Sequence, residues 1–122
     1  MYALRYQRLV VKLGTSTLTA GSPNLSKPQI DAIVGQVASL CDIGCEIIIV
    51  SSGAMAAGRE RLAFPELPRE IPSKQMLSAV GQPRLMALYE QLFGLHGRPV
   101  AQVLLTRADL ARRGSYLNAR NT

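Results

Sequence analysis

Residues Glu46–Gly58 read EIIIVSSGAMAAG, an apolar run that gives way abruptly to small and polar residues. Ile47, Ile48, Ile49 and Val50 are all β-branched, and together they leave no polar face. Such a strand suits the centre of a parallel sheet covered by helices. The SSG that follows is a turn, and the alanines after it favour a helix immediately beyond the strand. A strand feeding straight into a helix is half of a βαβ unit, so this stretch predicts an α/β fold with a mainly parallel sheet.

Upstream lies a second stretch of the same kind, RLVVKLGTSTLT at Arg8–Thr19. Leu9, Val10, Val11 and Leu13 read as a strand, and Gly14 with its hydroxyl neighbours reads as the turn. Lys12 stands inside the apolar run. Strand alternation would put it on a solvated face with no task, and a ligand beyond the strand end would give it one; the residues alone leave both open. Between the two strands, AGSPNLSKPQ is a polar turn in which Ser26 and Gln29 suggest a capping box and Pro28 falls in the tolerant first turn. Ile30, Ile33, Val34, Val37, Leu40 and Cys41 then recur at helical spacing for about four turns, and Gly44 supplies the stop.

Downstream, Pro65, Pro68 and Pro72 predict an irregular connection, AFPELPREIP. Helical spacing returns with Met76, Leu77, Val80, Leu85, Leu88, Tyr89 and Leu92, and Gly81 and Pro83 are expected to kink or interrupt that helix. RPVAQVLLT predicts a further strand, and Thr106 with Asp109 a cap for a short helix at TRAD. YLNARNT reads as the start of another helix that simply stops, so the chain is expected to be a fragment of a single domain.

The bulk properties narrow the field. The 122 residues suffice for one compact domain, and 48% hydrophobic with 18% charged residues is ordinary for a folded one. No apolar run is long enough to span a bilayer, and MYALRYQR lacks the apolar centre of a signal peptide, so a soluble cytoplasmic protein is expected with no membrane partner. A net charge of +6 fits nucleic acid or a small anionic substrate, but aromatics make up only 5% and no nucleic-acid-binding motif is present. No nucleic-acid partner is expected. Cys41 and Cys45 are read as small buried hydrophobes, because a metal would need more ligands than they and His96 offer.

In open parallel sheets ligands bind beyond the carboxyl ends of the strands, where VVKLGTST and IIIVSSGAMAAG both deliver Gly with Ser or Thr. Neither stretch is a P-loop or a GxGxxG turn. Glycine admits close backbone approach, and amides opening a helix favour a carboxylate or phosphate.

VVKLGTSTLT, IIIVSSGAMAAGRE, SKQMLSAVGQ, LLTRADL and YLNARNT, in this order, resemble the N-terminal part of the glutamate 5-kinases of the amino acid kinase family. The resemblance implies a three-layer αβα sandwich, here incomplete at its C-terminal side, with the rest of the kinase domain and any PUA domain lying outside this chain. It implies ATP and Mg²⁺ as cofactors, L-glutamate as the phosphorylated substrate in the first step of proline biosynthesis, proline as feedback inhibitor and a homo-oligomer when complete. It assigns Lys12 to catalysis at the ATP phosphates, Gly14 and Thr15 to cradling them, and Ser52, Gly53 and Ala54 to the glutamate. No metal ligand is assigned. Asp109, a helix cap on its own pattern, would on this resemblance sense the ammonium of substrate or inhibitor. Later glutamate-binding residues, the adenine pocket and a further phosphate-binding lysine are absent from this chain, and ARRG at Ala111–Gly114 is more basic than the loop expected there. The alternative is a truncated, non-catalytic α/β module that binds anions weakly.

Overall fold

The computed structural model describes residues 3–122. Two strands, β1 (Arg8–Leu13) and β2 (Glu46–Ser51), pair in parallel, with Lys12 opposite Val50 and Leu13 opposite Ser51. After β1 come a single turn of helix, α1 (Thr15–Thr19), and the crossover helix α2 (Lys27–Asp42); after β2 comes α3 (Ala54–Arg61). The long α4 (Ile71–Gly94) and a short pair, α5 (Arg107–Ala111) and α6 (Arg113–Asn121), complete the order.

The two ends of α2 are built from local chemistry. The Ser26 hydroxyl accepts from the Gln29 amide at 3.3 Å. Its capping box is half formed, because the Ser26 amide donates instead to the Leu18 carbonyl at 2.8 Å, tying α2 to α1. At the other end Gly44 takes φ 96°, and the amides of Gly44 and Cys45 return to the carbonyls of Cys41 and Leu40. That is the Schellman arrangement, and it needs a residue tolerant of the left-handed region.

The helices cover one face of the sheet. Leu13, Leu18, Ile30, Val34, Ala57, Leu85, Tyr89 and Phe93 form the core, with Val11, Ile47 and Ile49 packed against it. The opposite face is bare: Val10, Ile48 and Val50 are 65%, 53% and 51% exposed. These residues therefore build an α/β arrangement, a parallel pair of strands covered by helices on one face. Lys12 alternates onto the bare face, as strand geometry requires.

Several expectations need correction. The polar segment after Gly14 contains the helical turn α1. Pro72 opens α4 instead of belonging to the connection, because the first turn has no intrahelical acceptor for the amide that proline lacks. α4 runs through Gly81 and Pro83 without interruption. Its buried stripe is Leu77, Gly81, Leu85, Tyr89, Leu92 and Phe93, while Met76 is exposed. Gly81 is a contact rather than a breaker: a Cβ there would run into the Ala54 carbonyl oxygen and the Gly58 amide of α3. Gly58 would likewise meet the Leu77 carbonyl, so α3 and α4 cross backbone to backbone. Lastly, RPVAQVLLT forms no strand. Among the described residues it finds no ladder partner, and Val103, Leu104 and Leu105 stay at least half exposed.

Candidate active site at the strand ends

The two Gly-bearing turns leave the sheet side by side. The Ser52 amide donates to the Leu13 carbonyl at 2.8 Å, carrying the parallel ladder one bond past the paired strands. That bond holds the Lys12–Thr15 turn against the Ser52–Ala54 turn. Both turns run directly into helices, α1 from Gly14 and α3 from Gly53.

Each glycine has its own reason. Gly53 sits at φ 104°, in the left-handed region, and a Cβ there would lie 2.8 Å from the Cδ1 of Leu18, a side chain with no exposure at all. Gly14 has an ordinary φ of −78°, and a Cβ on it would meet nothing within 4 Å. There is thus open space beside the backbone at this strand end. The first amides of α3 have no intrahelical acceptor and carry the positive end of its dipole.

The side chains divide into used and free. Ser51 is committed: its hydroxyl is 2.6 Å from the Tyr89 hydroxyl and donates to the Ser52 carbonyl at 2.8 Å. The Ser52 hydroxyl makes no hydrogen bond among the described residues, and the Lys12 ammonium makes neither hydrogen bond nor ion pair among them. A free ammonium, a free hydroxyl and unpaired amides at one sheet edge can together receive a carboxylate or phosphate.

The backbones of Leu13–Thr15 and Ser52–Ala54 are thus set side by side, with Lys12 one residue before the joining bond. Asp109 is not beside them. It belongs to α5, which packs chiefly on α6 and buries no residue. There it completes a capping box: its Oδ2 accepts from the Thr106 amide and hydroxyl, both at 2.8 Å, and its own amide donates to the Thr106 hydroxyl at 3.2 Å. Those bonds, the backbone one foremost, hold its carboxyl below the usual aspartate value.

Sequence reading missed the supports of the site. Gly58 and Gly81 let α4 press on the first residue of α3, and Tyr89 reaches the end of β2. The signals were present as small residues four apart, Ala54 and Gly58, and as one hydroxyl-tipped residue in an apolar stripe. A hollow of about 450 Å³ lined by Thr15, Ser16, Thr19, Ser22, Arg59 and Phe64 includes neither Lys12 nor Ser52, so the strand-end site is an open edge rather than this hollow.

The model of the amino acid kinase family matches residues 7–122. Proteins named glutamate 5-kinase from Klebsiella pneumoniae (strain 342), Enterobacter sp. (strain 638) and Escherichia coli (strain SMS-3-5 / SECEC) are each 58% identical over 116 residues, 95% of this chain. The chain spans about a third, 32%, of the length of these relatives.

Proposed function

Since this chain belongs to the amino acid kinase family, we propose that its strand-end site is the front part of a site that phosphorylates the γ-carboxylate of L-glutamate to L-glutamyl 5-phosphate, the opening step of proline biosynthesis. Family membership implies use of a nucleotide, and the relatives carry the name glutamate 5-kinase. The observation that supports the reading is the Ser52–Leu13 bond, which joins the backbone just after Lys12 to the turn at Ser52–Ala54.

The residues fit the groups they would hold. Lys12 and the amides at Gly14 and Thr15 suit the phosphates of ATP, for which the open space at Gly14 leaves room. Ser52, Gly53 and Ala54 suit glutamate, through a hydroxyl and helix-opening amides. ATP with Mg²⁺ supplies the phosphoryl group and part of the charge compensation. A glutamate side chain is ionised at neutral pH, with a pKa of about 4.3, so the nucleophile needs no general base. The difficulty lies in bringing one anion to another, and Lys12 addresses it by placing a positive charge where they meet. The turn contributes by fixing the carboxylate's approach.

The chain is the N-terminal part of a kinase domain that continues beyond it, with a PUA domain following in some members. The complete enzyme is a cytoplasmic homo-oligomer inhibited by proline. No helix among the described residues is long and apolar enough to cross a membrane. Asp109, which these residues do not bring to the strand-end turns, would have to reach them in the complete enzyme to sense the ammonium of glutamate or proline; Oδ1 is the oxygen left open for that, since both Thr106 bonds fall on Oδ2. Unaltered proline inhibition in an Asp109→Asn enzyme would remove that role. The activity itself is tested by incubating the full-length protein with ATP, Mg²⁺ and glutamate in the presence of hydroxylamine, which traps an acyl phosphate as a hydroxamate. Glutamate-dependent hydroxamate is the expected product; ATP turnover without it would defeat the reading.

A further inference from the structure

The strand-end turn is held from behind by a group that no step of the reaction uses. Ser51 has a single hydroxyl hydrogen, and the 2.8 Å contact with the Ser52 carbonyl takes it. At its 2.6 Å contact with Tyr89, Ser51 is therefore the acceptor and the phenol the donor. A directed chain results: Tyr89 O–H to Ser51 Oγ, and Ser51 O–H to the Ser52 carbonyl.

The consequence falls on the peptide between Ser52 and Gly53. A peptide unit is planar, so fixing its carbonyl oxygen also fixes the direction of the Gly53 amide on the same plane. Gly53 stands at φ 104°, with no side chain of its own to hold that plane. The other face of the turn is held by Gly81, whose backbone lies against the Ala54 carbonyl. Gly81 and Tyr89 are two helical turns apart on α4, about 12 Å along its axis. One rigid helix thus grips the turn at its entry and at its exit.

Tyr89 is itself well anchored. It is 5% exposed, and its ring lies 6.4 Å from that of Phe93. Burial also pushes its phenol pKa above 10.0, so it stays protonated throughout the working range.

We propose that Tyr89 is a positioning residue for the amino acid substrate: through Ser51 it sets the Ser52–Gly53 peptide, and so the direction in which the turn presents its amide. This rests on the reading of Ser52–Ala54 as the glutamate-binding turn. It assigns to the reaction a residue that never touches the substrate.

The test is steady-state kinetics on the full-length protein and its Tyr89→Phe, Ser51→Ala and doubly substituted variants. Phenylalanine keeps the packing and removes one neutral hydrogen bond, which corresponds to about a three- to tenfold effect. The expected result is a rise of that size in KM for glutamate, with kcat and KM for ATP within about twofold of the parent. Ser51→Ala should give the same rise, and the double variant no more than either alone, because both break one chain. An unchanged glutamate KM, or effects that multiply in the double variant, would overturn the proposal. If Tyr89→Phe fails to fold, Ser51→Ala decides alone, since it leaves the buried ring in place. A parent that turns over no glutamate would defeat the functional reading beneath it, and is distinguished by that blank from an active parent with indifferent variants.

Discussion

Alanine at Gly81 and alanine at Gly35 should move stability in opposite directions. Both glycines lie inside helices, α4 and α2. Replacing a helical glycine removes backbone entropy from the unfolded chain and is worth about 0.5–1 kcal/mol where the new methyl fits. At Gly35 a Cβ meets nothing within 4 Å, so the full gain should appear. At Gly81 the Cβ runs into the Ala54 carbonyl oxygen and the Gly58 amide. Both are backbone atoms that cannot rotate aside, so α3 and α4 must separate. Overpacking of this kind costs about 1–3 kcal/mol, and the rigid obstacles put it at or above the upper end. The net loss at Gly81 is then about 2 kcal/mol, and the two variants differ by about 3 kcal/mol. The urea midpoint should therefore fall below the parent's for Gly81→Ala and rise above it for Gly35→Ala. Far-UV circular dichroism of the urea transition in the full-length protein measures this, and suits a chain segment with no tryptophan. A shift of the same sign in both variants would refute the backbone crossing.

Other consequences can be checked separately. Gly53→Ala should destabilise by about 2–4 kcal/mol, from the left-handed φ and the contact with buried Leu18, with a weakened affinity for glutamate; calorimetry gives both. Tyr89 ionises later in the folded than in the unfolded state, so stability should be unaffected below pH 10.0 and fall as pH rises beyond it; a Tyr89→Phe protein should lose less stability over that interval. Asp109 carries the opposite sign. Its lowered pKa means that the α5 cap is intact above 3.8 and is lost as pH falls through the depressed value, which amide exchange at Thr106 would report.

What could be read from the residues is what they fix locally. Gly44, Ser26 and the Thr106–Asp109 pair each act within a few positions of themselves, and the ends of α2 and the start of α5 form as their chemistry dictates. The strands at Val10 and Ile48 were legible because β-branched runs have few alternatives. RPVAQVLLT has strand composition too, yet a strand also needs a neighbour, and no property of these residues supplies one. Gly81 failed for a related reason: along α4 it looks like a weakness, and only α3, arriving from elsewhere in the chain, makes it a requirement. The site divides in the same way. Lys12 and the SSGA turn were visible as residue types at strand ends. The Ser52–Leu13 bond that joins them, and the Tyr89 chain behind them, depend on distant parts of the sequence meeting.

The most direct test of the account is the turnover number of a Lys12→Ala variant of the full-length protein with glutamate and ATP. The account predicts a fall in kcat of about a hundredfold or more, the scale set by losing one preorganised charge-stabilising group, with KM for glutamate changed only slightly. An unchanged kcat would contradict it, and would leave Lys12 as a lysine that strand alternation alone put on the open face of β1.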